Sequence, residues 1–404
     1  MSTPSAPLPE PAVPYPPVRR PAPRRARRPW HPAPAGVLPA LALFLAVRAA
    51  GVVAVVVTSR LYGRPLTKNL AHSWDSNWYL HIATHGYGHL IWITPTGDVQ
   101  TDWAFFPLYP TLIRALTALL PLSPGGAGLL IAWCAAAVAA WGIYAVGHHL
   151  YGRAVATALV ALWASLPHSV VLTLAYTEPL FAALAAWCLY AVLKDRWLTA
   201  GVLAALAGLS RPSGIAAAVA VVAAAGYAIV RHRGRVPAGV WVGAVLAPLG
   251  WAGYVLWVGW RTGDLLHGYF RVQSAWSSRL DFGKGALRFL KALFLHGGGV
   301  VYPLALVVVG AGILLFGLLC LERAPLPLVV FAGTLLLLVV AVSGPFASKP
   351  RFLLPAFPLL VPLALALVRT WRAKRAKALL LGGALTAVSL AYGTFVVAVA
   401  RQPL

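Results

Sequence analysis

The stretch His72–Pro110, HSWDSNWYLHIATHGYGHLIWITPTGDVQTDWAFFPLYP, lies between the first long apolar run of this chain and the runs that follow. It holds three of the chain's nine carboxylates, Asp75, Asp98 and Asp102, together with six Trp and Tyr residues before Phe105. Charged groups near lipid are costly to hold and usually have a function. The stretch is therefore predicted to form a site that handles a polar substrate at a membrane surface.

Composition fixes the class of protein. The chain is 60% hydrophobic and only 10% charged, and its mean hydropathy is +0.77. Many runs of 18 or more apolar residues are typical of transmembrane helices, so we predict an all-α, polytopic membrane protein. The net charge of +24 comes from Lys and Arg placed between the apolar runs. This placement favours membrane lipid, not nucleic acid, as the partner.

The amino-terminal residues 1–36 are dominated by proline and contain six arginines just before the first apolar run. We predict a disordered cytoplasmic tail, because the segment has too few apolar residues to form a core. The first span, residues 37–58, is then a retained signal-anchor that leaves the next segment outside. Residues 37–404 are predicted to be one transmembrane domain.

The topology depends on whether residues 104–121 cross the membrane. If this segment lies at the interface, the basic loops all fall on the cytoplasmic side and six of the nine acids face outward, in agreement with the positive-inside rule. About eleven spans are then predicted in a multi-pass cell-membrane protein with an external active face. After the first, these are at about 125–147, 154–175, 180–194, 198–210, 213–230, 237–260, 298–320, 325–343, 352–369 and 378–400.

Asp75 is the first candidate for chemistry, because a carboxylate at the start of an interfacial helix could act as a general base on a hydroxyl. Its alternative role is to cap that helix. Glu178, before Pro179, has similar alternatives: it orients an arginine or sugar hydroxyls, or it caps a helix end. Arg48, inside the first span, is predicted to pair with another span or with lipid phosphate.

Three cations are candidates for binding a phosphate. Arg211 lies in the SRPSG turn after a span too short to cross the membrane, and Lys349 and Arg351 lie at the external end of another span. A guanidinium offers a two-pronged contact to phosphate. The alternative for all three is ordinary snorkelling to the membrane interface.

Two blocks, WDSNWYLHIATHGY (74–87) and WAFFPLYP (103–110), resemble the PIG-V mannosyltransferase family. Weaker similarities occur in YTEPLF (176–181), LSRPSG (209–214) and RFLLPAFP (351–358). Eukaryotic members of that family add the second mannose during GPI-anchor assembly, and bacterial relatives are membrane mannosyltransferases. The resemblance implies a GT-C type fold and an inverting transfer from a polyprenyl-phosphate sugar to a glycolipid or glycan acceptor.

The resemblance also implies roles for individual residues. Asp75 takes the position of the acidic catalytic residue in the first external loop. Asp102 stands where eukaryotic members often have Asn, so it is expected to be a polar substrate contact and not a second base. Trp74 is expected to contact the sugar, since aromatic faces stack on sugars, although such residues also anchor proteins at the membrane interface.

The sequence specifies no certain cofactor. Three histidines at four-residue intervals suggest a metal site: His81, His85 and His89. The glycines at 86 and 88 interrupt the helix before the third histidine, which argues against that hypothesis. A divalent cation held by Asp75 or Asp102 together with the donor phosphate is left open.

The favoured hypothesis is a mannosyltransferase acting on the external face. The alternative is a transporter or flippase of a lipid-linked precursor, which would be expected to show inverted repeats and charges near the middle of several spans. Here the acids collect in external loops, which favours the enzyme. A non-catalytic scaffold is a third hypothesis, and it predicts that Asp75 can be replaced without loss.

Overall fold

A computed structural model describes residues 34–63, 70–296 and 299–400. Of the predicted tail, residues 1–33 lie outside the described residues, and the first helix begins at Pro34. The described part of the chain is helical throughout, apart from one small β-hairpin and the connecting turns. The predicted all-α membrane fold is confirmed.

In chain order the α-helices of the described residues are α1 (Pro34–Leu61), α2 (Asp75–His85), α3 (Leu108–Leu119), α4 (Pro124–Tyr151), α5 (Arg153–Ala164), α6 (Glu178–Leu193), α7 (Trp197–Gly208), α8 (Ile215–Arg231), α9 (Ala238–Leu246), α10 (Leu249–Arg261), α11 (Gly268–Ala275), α12 (Lys284–His296), α13 (Val301–Leu321), α14 (Leu326–Ala341), α15 (Lys349–Phe352), α16 (Val361–Ala373) and α17 (Arg375–Thr394). Short 3₁₀ turns cover Asp102–Ala104, Ser169–Thr173, Pro212–Gly214, Phe346–Ser348 and Phe357–Leu360, and a π-helical segment covers Phe395–Ala400.

Within the described ranges, six helical segments are long and apolar enough to cross a membrane, and a bent pair could make a seventh. The count of about eleven spans is therefore not confirmed. Four predicted spans contain apolar helices of only 12 to 16 residues: α5, α6, α7 and α14. A helix of 12 residues is about 18 Å long, against about 30 Å of hydrocarbon core.

The segment 104–121, on which the predicted topology depends, contains the 12-residue helix α3. Pro107 precedes the helix and Pro110 lies in its first turn, where a missing N–H costs nothing. At about 18 Å, α3 alone does not span a bilayer. This length agrees with an interfacial segment, and the side of the membrane on which it lies stays a prediction.

The centre of the helix packing is α4, which lies against α5 and α6. It begins after Ser123, whose hydroxyl accepts a hydrogen bond from the Gly126 N–H at 3.1 Å. Small residues let α4 and α6 approach closely: a Cβ built on Gly142 would lie 2.9 Å from the Ala186 Cβ. Such pairs of small residues are typical of helix packing in membranes.

Arg48, in the middle of α1, donates to the backbone carbonyls of Ala164 and Ser169 and to the Ser169 hydroxyl. Ala164 is the last residue of α5, so its carbonyl has no partner within the helix. The Arg48 guanidinium thus caps the carboxyl end of the neighbouring helix α5. This contact agrees with the prediction that Arg48 pairs with another span.

The helices are interrupted after α14 by the segment Phe346–Phe352, which carries a residue of the candidate site. The segments Phe346–Phe352 and Phe357–Ala373 form an angle of 80°. Pro350 and Pro355 lie at this bend, and proline removes a helical hydrogen bond. The Trp163 indole N–H donates to the Leu354 carbonyl at 2.9 Å and so satisfies one of the free backbone groups.

The stretch between α1 and α3 folds as a compact layer. After α2, strands β1 (Ile91–Ile93) and β2 (Val99–Thr101) pair antiparallel, with Trp92 opposite Gln100. The Trp276 indole donates to the Thr101 carbonyl at 3.2 Å, and the Tyr254 hydroxyl donates to the Phe105 carbonyl at 2.6 Å. The later loop and α10 therefore hold this layer in place.

Candidate active site

Four charged side chains from distant parts of the chain meet in one place. Arg351 Nη2 lies 2.6 Å from Asp75 Oδ2, and Arg211 Nη1 lies 2.8 Å from Glu178 Oε1. Arg351 Nε also lies 3.7 Å from Glu178 Oε1 and so links the two pairs. We call these four residues the ion-pair cluster. All four were candidates from the sequence, which did not indicate that they would lie together.

The start of α2 presents Asp75 to the cluster. Asp75 is the first residue of the helix, where a negative charge is favoured by the helix dipole. Trp74 before it has φ = 36°, a left-handed conformation that is strained for a bulky residue. The carboxylate makes its ion pair with Arg351 and not with its own helix end, so the capping hypothesis is not needed to explain its place.

The other three residues come from helix ends and a bend. Glu178 is the first residue of α6, and Arg211 is extended just before the turn Pro212–Gly214. Arg351 lies on the single-turn helix α15, directly at the bend after α14. Breaks in helices bring charged groups together here, as is common where irregular backbone lines a membrane-protein site.

Burial differs sharply within the cluster. The Asp75 side chain is 29% exposed, whereas the side chains of Arg351, Arg211 and Glu178 are 9%, 7% and 2% exposed. Taking charges out of water is expensive unless each has a partner of opposite sign. The formal charges of the two arginines and the two carboxylates sum to zero. Asp75 is the most exposed member of the cluster and can contact a molecule that arrives from outside.

The buried arginines are not fully used by the protein. Within the described part of the chain, Nε and Nη1 of both Arg211 and Arg351 have no hydrogen-bond acceptor. The Arg211–Glu178 contact at 2.8 Å is an ion pair by distance but is not directed as a hydrogen bond. Buried donors without acceptors are rare in proteins. Two of these four nitrogens, Arg211 Nη1 and Arg351 Nε, lie 2.8 Å and 3.7 Å from Glu178 Oε1.

Aromatic rings enclose the two guanidinium groups. The Arg351 Cζ lies 4.9 Å from the centre of the Phe352 ring and 5.4 Å from that of Tyr176, and Arg211 Cζ lies 5.4 Å from the Phe352 ring. Such contacts are worth about 0.5–2 kcal/mol each. They stabilise the cations without using their N–H groups.

Tyr79 was not singled out from the sequence, although it lies one helical turn after Asp75. It is buried, and its hydroxyl lies 3.5 Å from the Thr177 hydroxyl, next to Glu178. Burial raises the pKa of Tyr79 above its ordinary value, so the phenol stays neutral. Its i, i+4 position relative to Asp75 was the available signal.

Asp102, the second acid of the starting stretch, has a different environment. It is 0% exposed, and its carboxylate accepts hydrogen bonds from the backbone N–H groups of Gly88, at 2.8 Å and 3.0 Å, and His89, at 3.3 Å. The side chain holds the turn after α2, where Gly86 and Gly88 have positive φ. A direct substrate contact, as expected from the sequence, does not fit this burial.

Lys349 and Trp74 are also placed outside the cluster's ion pairs. Lys349 Nζ donates to the carbonyls of Val339 and Val342 at 2.6 Å and 2.9 Å, so it closes the end of α14. Trp74 is partly buried against a core that includes Tyr176. For both residues a substrate contact stays a prediction.

The histidines after Asp75 do not form a metal site in this arrangement. The rings of His81 and His85 stack at 4.4 Å, and the His85 Nδ1 lies 2.7 Å from the Thr84 hydroxyl. Over the described ranges, no group of three or more His, Cys, Asp or Glu residues is placed to hold a metal ion.

Comparison with known proteins gives a likeness of fold. No protein-family model and no curated protein matches this sequence, so the PIG-V resemblance is not confirmed. Two solved structures of the Archaeoglobus fulgidus oligosaccharyltransferase are similar. The first, with zinc and sulfate, has a TM-score of 0.50 at 17% identity over 86% of this chain. The second, AglB with an inhibitory peptide and a dolichol-phosphate, has a TM-score of 0.50 at 15% identity over 87% of this chain.

This chain covers 53% and 56% of the length of those two chains, so it corresponds to about half of each. At such low sequence identity the likeness concerns the fold, and it covers most of the chain described here. Both neighbours are oligosaccharyltransferases. The protein is a polytopic helical membrane protein whose fold is similar to that of these two oligosaccharyltransferase structures.

Proposed function

We propose that this protein is an inverting membrane glycosyltransferase that moves a hexose, mannose by the sequence resemblance, from a polyprenyl-phosphate sugar to a lipid-linked or cell-envelope glycan acceptor. The reaction takes place at the external face. Asp75 is the catalytic base, and Arg211 and Arg351 bind the donor phosphate. Glu178 positions the two arginines.

The unused nitrogens of the two buried arginines carry this proposal. Arg211 Nε and Arg351 Nη1 have no hydrogen-bond acceptor among the described residues, and Arg351 lies beside the partly exposed Asp75 carboxylate. A phosphate group offers several acceptor oxygens and matches guanidinium geometry. One of the structurally similar proteins was solved with a dolichol-phosphate, which agrees with a donor of this class.

The chemistry needs one base and one phosphate site. Asp75 takes the proton from an acceptor hydroxyl as that oxygen bonds to C1 of the sugar. The bond between C1 and the phosphate oxygen breaks on the opposite side, which inverts the configuration at C1. Polyprenyl phosphate leaves with the bonding electron pair, and the two guanidinium groups stabilise its charge. No general acid is needed, because the phosphate leaves as an anion.

The ion pair between Asp75 and Arg351 suits both roles. A cation at 2.6 Å holds the carboxylate in one orientation. The Nη1 atom of the same guanidinium has no acceptor among the described residues and can donate to the phosphate. One arginine therefore links base and leaving group, and it fixes the distance between them.

A transfer assay tests the proposal. Membranes carrying this protein are incubated with a labelled polyprenyl-phosphate mannose, and the lipid and glycan products are separated. We expect new labelled product that depends on the protein and on Asp75, with inverted configuration at C1. Movement of intact labelled donor across the membrane without any new product would support a flippase instead and contradict the proposal.

The external face can be tested separately by labelling single cysteines. After Cys134, Cys188 and Cys320 are replaced, a cysteine at Ser277 should react with an impermeant thiol reagent added outside the cell. A matched cysteine at Ala373, near the basic end of α16, should react only after the membrane is opened. The reverse pattern would place the ion-pair cluster on the cytoplasmic side and contradict the proposed orientation.

A further inference from the structure

A cavity of about 470 Å³ is lined in part by Lys349, the first residue of α15. Its walls come from the turn of the β-hairpin, the segment after α11, the start of α12 and the segment before α15. Its polar lining includes Asp98, Ser274, Arg279, Ser343 and Lys349. A volume of this size is within the range of small-molecule sites. The cavity is not part of the ion-pair cluster.

The single turn of α15 connects the cavity with the proposed catalytic base. Lys349 lines the cavity, and Arg351, two residues later, makes the ion pair with Asp75. Residues two apart on an α-helix point about 200° apart, that is, to nearly opposite sides. The same helical turn therefore carries one residue of the cavity wall and one residue of the ion-pair cluster.

The chemistry of the lining suits a polyhydroxylated ligand that also carries an anionic group. The Ser274 and Ser343 hydroxyls donate to backbone carbonyls, so they and the Asp98 carboxylate can accept hydrogen bonds from sugar hydroxyls. Within the described ranges, the Arg279 guanidinium has no carboxylate within ion-pair distance, so it is available to an anion. Phe346, stacked on Phe289 at 4.2 Å, provides an apolar wall against which a sugar ring can pack.

The walls of the cavity are fixed by contacts between distant segments. The Arg279 N–H donates to the Ser343 hydroxyl at 2.9 Å, and the Ser343 N–H donates to the Arg279 carbonyl at 2.7 Å. Asp281 then accepts from the Gly283 and Gly285 N–H groups and begins α12. These bonds hold the loop before α12 against the end of α14, so the cavity is largely pre-formed.

We propose that this cavity binds the acceptor's head group, and that this head group is a sugar or polyol carrying a phosphate. Arg279 contacts the phosphate, and Asp98 with the serines contacts the hydroxyls. The assignment to an acceptor rests on the proposed glycosyl transfer. Binding itself does not depend on turnover, so it can be tested whether or not transfer is observed.

The test is a binding titration of the purified full-length protein in nanodiscs with labelled glucose 6-phosphate. Free glucose and inorganic phosphate are titrated in parallel. We expect saturable binding of glucose 6-phosphate, and binding at least about tenfold weaker for each of the two fragments. Arg279→Gln should weaken binding by about tenfold or more, the usual effect of losing a charge-assisted contact.

Three controls separate this inference from the proposed function. Arg288→Gln removes an exposed arginine of the nearby helix α12 that does not line the cavity, and it should leave binding unchanged. Asp75→Asn should abolish transfer but keep the affinity for glucose 6-phosphate. Polyprenyl phosphate should not displace the probe, because its phosphate is assigned to Arg211 and Arg351.

The opposite results would overturn the inference. The absence of saturable binding would exclude the site. Equal affinity for inorganic phosphate would make it an anion site only, and equal affinity in Arg279→Gln would place the probe elsewhere. Displacement by polyprenyl phosphate would assign the cavity to the donor. None of these results would affect the transfer assay that tests the proposed function.

Discussion

Asp75 and Asp102 belong to the same short stretch of sequence, and each lies next to a tryptophan. Asp75 meets a cation from the far end of the chain, Arg351, and keeps 29% of its side chain exposed. Asp102 is fully buried, and its described hydrogen bonds come from the backbone N–H groups of Gly88 and His89, 14 and 13 residues away.

The difference shows that the partner, and not the local sequence, decides what a carboxylate does. Charge-assisted hydrogen bonds from backbone groups fix a turn and leave Asp102 no exposed surface for a ligand. A long-range ion pair at a break in the helices leaves Asp75 oriented but accessible. We therefore expect changes at Asp75 to affect catalysis and changes at Asp102 to affect stability.

The largest expected effect is that of Asp75→Asn. Asparagine keeps the volume of aspartate and its preference for the start of a helix, but it cannot take the proton from the hydroxyl that receives the sugar. Transfer should fall by roughly two to four orders of magnitude, the usual contribution of general-base catalysis, while the protein inserts and folds as before. Initial rates of labelled transfer and thermal unfolding in detergent give the two readouts.

Asp75→Glu sharpens this prediction. The added methylene moves the carboxylate by about 1 Å, and positioning at that scale matters for catalysis. We expect Asp75→Glu to retain little of the wild-type transfer activity. Near-normal turnover in Asp75→Asn would remove Asp75 from the mechanism and support a scaffold or transport role.

Arg211 should have the next largest effect, through the donor. Arg211→Ala removes one of the two guanidinium groups assigned to the phosphate and leaves Glu178 with Arg351 alone. Loss of a charge-assisted phosphate contact costs about 1.5–3 kcal/mol, which is about ten- to a hundredfold in kcat/KM for the donor. The measurement is transfer rate against donor concentration.

Arg211→Lys is the matched variant, since lysine keeps the positive charge but cannot make the two-pronged contact of a guanidinium with phosphate. It should lie between wild type and Arg211→Ala in its use of the donor. If both variants had wild-type kinetics, Arg211 would be a structural partner of Glu178 and not a phosphate ligand.

Asp102→Asn should affect stability more than activity. One carboxylate oxygen is replaced by an amide NH₂ that faces the backbone donors of Gly88 and His89, so a buried hydrogen bond is lost. The free energy of unfolding should fall by about 1–3 kcal/mol. The kcat/KM of the folded fraction should stay close to that of wild type.

The contrast between a catalytic Asp75 and a structural Asp102 would be wrong if the effects of the two asparagine variants were exchanged. Loss of turnover in Asp102→Asn at unchanged stability would move the base to Asp102. Thermal unfolding and transfer, measured on the same preparations of Asp75→Asn and Asp102→Asn, decide between the two assignments.

The sequence predicted the fold class because apolar runs and basic loops are local signals. It also predicted helix α2, the short helix α7 and the helical segment in the loop before α13. It overestimated the number of spans. An apolar run of 12 to 16 residues buried against other helices has the same composition as a crossing, so hydropathy alone does not separate them.

The sequence singled out the four residues of the ion-pair cluster but did not predict that they lie together. Asp75, Glu178, Arg211 and Arg351 were each candidates because charges are rare in this chain. Their meeting depends on contacts between residues up to 276 positions apart, which no local pattern encodes. Lys349 and Arg351 were expected to act together on a phosphate, but the single turn of α15 points them to opposite sides.

The smallest expected effect is that of Tyr79→Phe, which tests how far the cluster's influence extends. The Tyr79 ring packs edge-on against Phe105 and Tyr109, with centroids 5.1 Å and 5.4 Å away, and phenylalanine keeps both contacts. Only the long hydrogen bond to Thr177, at 3.5 Å, is lost. We expect stability to fall by about 0.5–1.5 kcal/mol and turnover to change little.

The pH dependence adds a second readout for the same variant. Because burial raises the pKa of Tyr79, the phenol is neutral both below and above physiological pH, and its removal should leave the pH profile of transfer unchanged. A shift of the alkaline limb in Tyr79→Phe would mean that the hydroxyl takes part in proton transfer. In that case Tyr79 would join Asp75 as a catalytic residue, and two side chains of α2 would differ from Asp102 in having a catalytic role.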